Sequence, residues 1–68
     1  MTDTKALYNA IERSGYLKKY IARQLGISYQ GFLNKAKNRS EFTASEIEKL
    51  KDLLSLSSSE RDAIFFAV

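Results

Sequence analysis

The sequence contains no cysteine, no histidine and no proline, and it has only three glycines. The absence of cysteine excludes disulfide bonds and thiolate metal sites, and the absence of histidine removes the most common acid–base side chain. No nucleophile paired with a base, metal-ligand cluster or phosphate-cradling glycine loop is present, so we expect no catalytic residues, no metal and no cofactor. We therefore expect a protein that is not an enzyme, and the lack of cysteine fits a reducing cytoplasm.

Long apolar runs are also missing from the sequence. No run approaches the ~20 residues that a membrane-spanning helix needs, and the polar start at residues 1–3 gives no sign of a signal peptide. With 68 residues the chain has room for one domain, residues 1–68, whose small core must be supplemented by helix packing or dimerisation. The shortage of glycine and proline, together with apolar residues at helical spacing, predicts an all-α fold.

Three helices are predicted in the first half of the chain from apolar spacing and capping signals. The first is expected over residues 4–14, with Thr4 as a possible N-cap. The second is expected over residues 17–25 and the third over residues 28–37, with Ser28 as the cap of the third.

Two more helices are predicted in the second half of the chain. Thr43 with Glu46, and Ser57 with Glu60, match the capping box, in which each side chain satisfies the other residue's backbone N–H group. The last helix ends in the apolar run of residues 63–68. The whole pattern predicts a compact bundle of five short helices joined by brief loops.

The charges are divided unevenly between the two halves of the chain. Residues 1–39 carry eight basic and two acidic side chains, a net charge of +6, and residues 40–68 carry three basic and six acidic ones, a net charge of −3. Residues 16–39 contain six basic residues and no acid. Because solvated helices usually mix both signs, this block favours a polyanionic partner over a basic surface without a ligand.

A helix-turn-helix is predicted over about residues 17–37. Ala22 is small enough for the third helix to cross close over the second, and Gly26 can turn the chain without a Cβ clash. Ile27 is expected to pack where the two helices meet, and Ser28 to cap the following helix. This geometry holds one helix out for insertion into a major groove.

The segment IARQLGIS at residues 21–28, followed by YQGFLNKAKNRSEF at residues 29–42, resembles the Cro/repressor-type helix-turn-helix family of phage and mobile-element transcriptional regulators. The resemblance is to the small single-domain members and extends over most of the chain. It implies a lambda-repressor-like DNA-binding domain and a Cro-like repressor that occupies an operator in double-stranded DNA. Lys35 departs from the family pattern, in which an aliphatic core residue usually stands at that position. The sequence therefore does not determine how the third helix packs on the core.

The predicted base contacts are Tyr29, Gln30, Gly31 and Asn34. Gln30 and Asn34 lie four residues apart, opposite the apolar face, and their amides match the hydrogen-bonding edge of adenine. The resemblance places Tyr29 at the groove, where its ring can pack on a thymine methyl group. For Gly31 two explanations stay open, close backbone approach to DNA and tight packing between helices.

The predicted phosphate contacts form the basic edge of the same segment. Ser28 can bind phosphate through its hydroxyl and backbone N–H groups, and lysines at the start of the second helix oppose the helix dipole, which favours a functional reason for them. Such contacts fix the register of the protein and carry no sequence information. The full set is Lys18, Lys19, Arg23, Ser28, Lys35, Lys37, Asn38 and Arg39.

The apolar C-terminal run is expected both to complete the core and to form a dimer interface, with Phe65 and Phe66 divided between the two roles. The predicted interface consists of Ile64, Phe65, Phe66 and Val68. Adjacent helical positions lie ~100° apart, so at least one of the two phenylalanines should point out of the bundle. We expect a homodimer on DNA and no small-molecule effector. The alternative function is a protein-interaction module, such as an antirepressor or a partner in a regulatory complex, whose basic face meets an acidic protein.

Overall fold

The computed structural model describes residues 1–67, and within that range it contains helices and no strand. The helices are α1 (Thr4–Ser14), α2 (Lys18–Leu25), α3 (Tyr29–Ala36), α4 (Ala44–Leu53) and α5 (Ser58–Phe65). The all-α class and the five short helices are therefore confirmed. None of the described helices combines the length and the apolar composition that crossing a bilayer requires.

The start of α1 differs from the prediction in its capping residue. Asp3, not Thr4, is the N-cap, and its carboxylate accepts a hydrogen bond of 3.0 Å from the backbone N–H of Ala6. Thr4 is the first helical residue, and its hydroxyl instead donates to the carbonyl oxygen of Ala36 at the end of α3. An aspartate at the N-cap is at least as effective as a threonine, which leaves the Thr4 hydroxyl free for a tertiary contact.

Both predicted capping boxes are present. The Thr43 side chain accepts from the backbone N–H of Glu46 while the Glu46 carboxylate accepts from the backbone N–H of Thr43. Ser57 and Glu60 make the same reciprocal pair at the start of α5. Each box satisfies two backbone donors that a helix start would otherwise leave unpaired.

Besides α1, which ends at Gly15 with a φ angle of 80°, three of the described helices end in a left-handed residue that turns the chain sharply. These residues are Gly26 after α2, Asn38 after α3 and Ser55 after α4, with φ angles of 73°, 66° and 54°. At each of these ends two backbone N–H groups bond back to carbonyl oxygens of the last helical turn. These turns fix the direction in which the chain leaves each helix.

The core draws one fully buried side chain from each of the first four helices, Leu7, Ile21, Phe32 and Leu50. Phe42, in the loop between α3 and α4, contacts Phe32 edge-on with a ring-centroid distance of 6.0 Å. On its other side Phe42 contacts Phe65 of α5 at 5.5 Å. Phe32 therefore anchors the inner face of α3, and the opposite face of α3 is left outside the core.

The C-terminal run divides between the core and the surface. Ile64 and Phe65 are buried, with 5% and 4% of their surface exposed, whereas Phe66 is 58% exposed. The expectation that at least one phenylalanine points outward is confirmed. Ile64 and Phe65 pack inside their own chain, so the structure does not support their assignment to a dimer interface, and Val68 lies outside the described residues.

Candidate nucleic-acid interface

The outer face of α3 presents a pair of amide side chains. Gln30 is exposed and Asn34 is half-buried, and they lie on the side of the helix away from Phe32. The Gln30 Nε2 group donates to Asn34 Oδ1 at 3.0 Å. This bond orients both amides. Among the described residues, the side-chain oxygen of Gln30 and the Nδ2 group of Asn34 have no hydrogen-bond partner. A donor and an acceptor side by side match the N6/N7 edge of adenine in a major groove.

Gly31 lies beside this pair, in the first turn of α3. A Cβ atom built on it would lie 3.0 Å from the Ser28 hydroxyl oxygen, and no other heavy atom outside the local helix backbone comes within 4 Å. Packing between helices therefore does not account for the glycine. The Gly31 N–H group donates to the same hydroxyl at 2.9 Å, which confirms Ser28 as the N-cap of α3.

The cations of the basic segment are mostly free of acidic partners. Among residues 1–67, no ion pair involves Lys18, Lys19, Arg23, Lys37 or Arg39. Arg13 and Arg61, outside the segment, are both paired with carboxylates. Within the described residues the lysines of α1 and α4 are also unpaired. The basic segment therefore differs from them in that its cations are clustered and no acidic residue lies among them.

Lys35 is the exception within the basic segment. Its Nζ atom lies 2.7 Å and 2.8 Å from the two carboxylate oxygens of Glu46, and both side chains are largely buried. The predicted phosphate contact at Lys35 is therefore not supported, because its ammonium is already bound within the protein. No local pattern indicated the pair, because the two residues are 11 positions apart and Glu46 was already assigned to the capping box.

The Lys35–Glu46 pair shifts the pKa of the Glu46 carboxyl group. Burial of the Glu46 carboxyl raises its pKa, but hydrogen bonds from Lys35 and from the Thr43 backbone, together with the Lys35 charge, lower the pKa more. The net pKa of Glu46 lies below its usual range. The carboxylate is thus held in its charged form at neutral pH.

Asn38 also has an internal partner that the sequence did not reveal. Its side-chain Oδ1 accepts from the backbone N–H of Thr2 at 2.8 Å, and its Nδ2 donates to the backbone carbonyl of Thr2 at 2.8 Å. The predicted phosphate contact through the Asn38 side chain is therefore not supported, because both ends of the amide are bound to Thr2.

Tyrosine rings hold the two lysines at the start of α2. Lys18 Nζ lies 4.0 Å from the ring centroid of Tyr8, a residue that the sequence analysis did not single out. Lys19 Nζ lies 5.7 Å from the ring centroid of Tyr29, in the first turn of α3. Cation–π contacts of this kind restrict a lysine without neutralising its charge. Lys19 and Tyr29 are thereby brought to one edge of the interface.

A groove borders this edge, between α1 and the starts of α2 and α3. Its volume is about 680 Å³, and its lining includes Tyr8, Leu17 and Tyr29. Leu17 is 74% exposed, although it is aliphatic and lies at the N-cap of α2. Tyr16 packs on Tyr20 with a centroid distance of 5.0 Å, and both rings are partly exposed.

The assembled surface consists of the outer face of α3, free cations beyond both of its ends and a tyrosine-lined groove at one edge. Within residues 1–67, no group of acidic side chains is arranged to hold a metal ion. Comparison of the chain with protein-family models, with curated proteins and with solved structures found no match. Its function is therefore inferred from the chemistry of its own residues.

Proposed function

We propose that the protein is a sequence-specific DNA-binding regulator of transcription, in which α2 and α3 act as a helix-turn-helix and α3 enters the major groove. The observation that carries the proposal is the hydrogen-bonded Gln30–Asn34 pair, which lies on the side of α3 away from Phe32, near cations that have no acidic partner within residues 1–67. An α-helix fits the width of the major groove, and base edges there present a distinct pattern for each base pair.

Base readout is assigned to the first two turns of α3. Gln30 and Asn34 would bind an adenine, because their mutual hydrogen bond already holds the two amides side by side. Tyr29 is 40% exposed, which leaves ring surface for a thymine methyl group. Gly31 has no Cβ atom, and we assign it a role in letting the backbone of this turn approach the base edges closely.

Phosphate contacts are assigned to the free cations and to Ser28. Lys18, Lys19 and Arg23 belong to α2, and Lys37 and Arg39 follow α3, so the two groups lie toward opposite ends of a helix that is about 12 Å long. Contacts on both sides of the groove would fix the register of α3 against the bases.

The proposal is tested by titrating duplex DNA binding against salt. If about four phosphates are neutralised per subunit, the slope of log affinity against log salt should be about −3 to −4 per subunit. Lys49→Ala is the matched control, since Lys49 is an exposed lysine of α4 without an ion pair and its loss should leave the slope unchanged. A slope near zero for the wild-type protein would exclude DNA binding through this surface.

We also propose that the protein acts as a homodimer on DNA and represses by occupying its operator. A single small domain offers few base contacts, and two half-sites about 34 Å apart would double the readout. Phe66 is 58% exposed and borders the same cleft as Met1, which is 75% exposed. A two-fold interface would cover this patch with a second copy of itself.

The second candidate function is a protein-interaction module, and the exposed Leu17 beside the tyrosine-lined groove favours it. An aliphatic side chain that is 74% exposed makes no use of phosphate, whereas it would be buried by an apolar side chain of a protein partner. A salt-sensitive mobility shift on random duplex DNA separates the two functions, because an interaction module would give no shift.

A further inference from the structure

Asn38 occupies the left-handed position that ends α3, a backbone conformation that a glycine could adopt without a side chain. Asn38 has a φ angle of 66°, and its N–H group bonds to the carbonyl oxygen of Lys35. The N–H of Arg39 bonds to the carbonyl oxygen of Asn34 at 2.8 Å, which completes the helix-terminating turn. Glycine adopts this conformation at the least cost, so the backbone alone does not explain a side chain at this position.

The Asn38 side chain is bound to Thr2 by two hydrogen bonds that form a closed ring. The amide accepts from the N–H group of Thr2 and donates to its carbonyl group, both at 2.8 Å. Two bonds between the same partners fix the orientation of the amide as well as its distance. The loop after α3 is thereby attached to a residue 36 positions earlier in the chain.

Thr2, the partner of Asn38 in this ring, is itself held in place by its surroundings. Thr2 is 8% exposed, and the next residue, Asp3, donates its N–H to the carbonyl oxygen of Ile64 at 2.7 Å. Thr4 then donates its hydroxyl to the carbonyl oxygen of Ala36. The segment of residues 2–4 therefore binds the ends of both α3 and α5, and it offers Asn38 a fixed attachment point.

We propose that Asn38 is a positioning residue, which holds the exposed Lys37 and Arg39 on either side of it where they can bind phosphate. The inference rests on the proposed function and assigns Asn38 a role that needs no contact of its own with DNA. Cations held in place before binding lose less conformational entropy when they bind. Releasing Asn38 from Thr2 should therefore weaken the phosphate contacts of both neighbours together.

Two variants break hydrogen bonds of this ring, one by changing Asn38 and the other by changing Thr2. Asn38→Gly removes the amide and keeps the left-handed turn, and Thr2→Pro removes the N–H donor while leaving the Asn38 side chain intact. We expect each to lower operator affinity roughly tenfold at fixed salt. The salt slope should become less steep by about 1 to 2 units, because Lys37 and Arg39 would lose phosphate contacts. The double variant should bind no more weakly than either single variant by more than about twofold, since both break one interaction.

The matched control is Ser55→Gly, which makes the same change at the left-handed residue that ends α4. Its side chain has no described hydrogen bond, and affinity and slope should stay at the wild-type values. Binding is measured well below the melting temperature of each variant, so that a loss of stability alone leaves both quantities unchanged.

The outcomes separate the role of Asn38 from the proposed function. A weaker affinity with a flatter slope in both variants supports the positioning role. A weaker affinity of Asn38→Gly with an unchanged slope, and no effect of Thr2→Pro, would show a direct contact from the neutral amide and overturn it. Wild-type affinity and slope in both variants would also overturn it, whereas a wild-type protein that binds no duplex would overturn the proposed function itself.

Discussion

Lys35 of α3 and Glu46 of α4 form a two-oxygen ion pair, with the ammonium nitrogen 2.7 Å from one carboxylate oxygen and 2.8 Å from the other. The oxygen at 2.7 Å also accepts the backbone N–H of Thr43 at 2.8 Å, so one carboxylate both caps α4 and holds α3. This explains how a lysine occupies a position at the edge of the core. Its stem packs inward, and its charge is neutralised at the junction of the two helices.

The first prediction concerns which lysine contacts DNA, Lys35 within α3 or Lys37 just after it. Lys37→Met should flatten the salt slope of DNA binding by about 0.9, because one phosphate contact is lost. Lys35→Met should leave the slope unchanged and lower the free energy of unfolding by about 2 kcal/mol, since the Glu46 carboxylate stays buried without its partner. Salt titrations and urea unfolding of both variants make the comparison. A flatter slope for Lys35→Met would show that its ammonium leaves Glu46 to bind phosphate.

The second prediction is a pH dependence of stability that originates at Glu46. Its pKa in the folded protein is lowered, so the unfolded state binds the proton more readily. The stability from this charge is therefore complete above the pKa of the unfolded state and is lost as the pH falls through the folded pKa.

Urea unfolding between pH 7 and pH 2.5 checks this dependence. Glu46→Gln keeps a side chain that can accept the Thr43 N–H and should make stability less sensitive to acid. Glu60→Gln is the control with the same capping-box chemistry in an exposed position, and it should change the acid dependence less because water screens its charge. Equal changes in the two variants would argue against a special role of the Lys35 contact.

The third prediction separates the structural and functional reasons for Gly31. Gly31→Ala should change stability by no more than about 1 kcal/mol, because alanine favours the helix whereas its Cβ atom would lie 3.0 Å from the Ser28 hydroxyl that caps it. Operator affinity should nevertheless fall at least about tenfold if bases approach this backbone. Thermal unfolding and binding are measured on the same preparation. A variant that binds normally would leave close approach to DNA without support.

The fourth prediction distinguishes base readout from phosphate binding. Gln30→Ala should relax sequence preference at one operator position, at a cost of about 1–3 kcal/mol there, whereas Lys18→Ala should weaken binding to all sequences alike. Selection of bound sites from random duplexes gives the preference profile of each variant. Profiles that change in the same way for both would contradict the division of roles.

The fifth prediction concerns assembly through the exposed phenylalanine. Phe66→Ser should leave the monomer folded, because the side chain lies mostly outside the core, and should abolish cooperative binding of two subunits to a full operator. Sedimentation of the protein with and without operator DNA measures the stoichiometry. Phe65→Ser is the contrasting variant and should unfold the domain, since Phe65 is 4% exposed and contacts Phe42. Cooperative binding by folded Phe66→Ser would place the dimer contact elsewhere.

The features that followed from the sequence are those with local causes. The capping boxes at Thr43 and Ser57 each involve residues three positions apart, and the left-handed turn at Gly26 follows from one glycine. Helical periodicity predicted that one phenylalanine of the C-terminal run would face outward. It could not choose Phe66 over Phe65, because that choice depends on where Phe42 meets α5.

The features that the sequence did not reveal are contacts between distant side chains. Lys35 and Asn38 were both assigned to phosphate, as their positions beside other cations suggested, and both have partners inside the protein. Those partners, Glu46 and Thr2, are brought close only by the packing of the helices. Tyr8 was likewise missed, because its contact with Lys18 joins two helices across a turn.

The hydrogen bond from Asp3 to Ile64 joins the two ends of the described chain and encloses nearly all of it in one loop. Among the hydrogen bonds between described residues it closes the longest loop, and the entropic cost of closing a loop grows slowly with its length. A local opening of residues 2–4 would break their bonds to Asn38, Ala36 and Ile64 together. The ends of α3 and α5 would then lose a partner at the same moment. Two helix ends that are far apart in sequence thus belong to one cooperative opening unit.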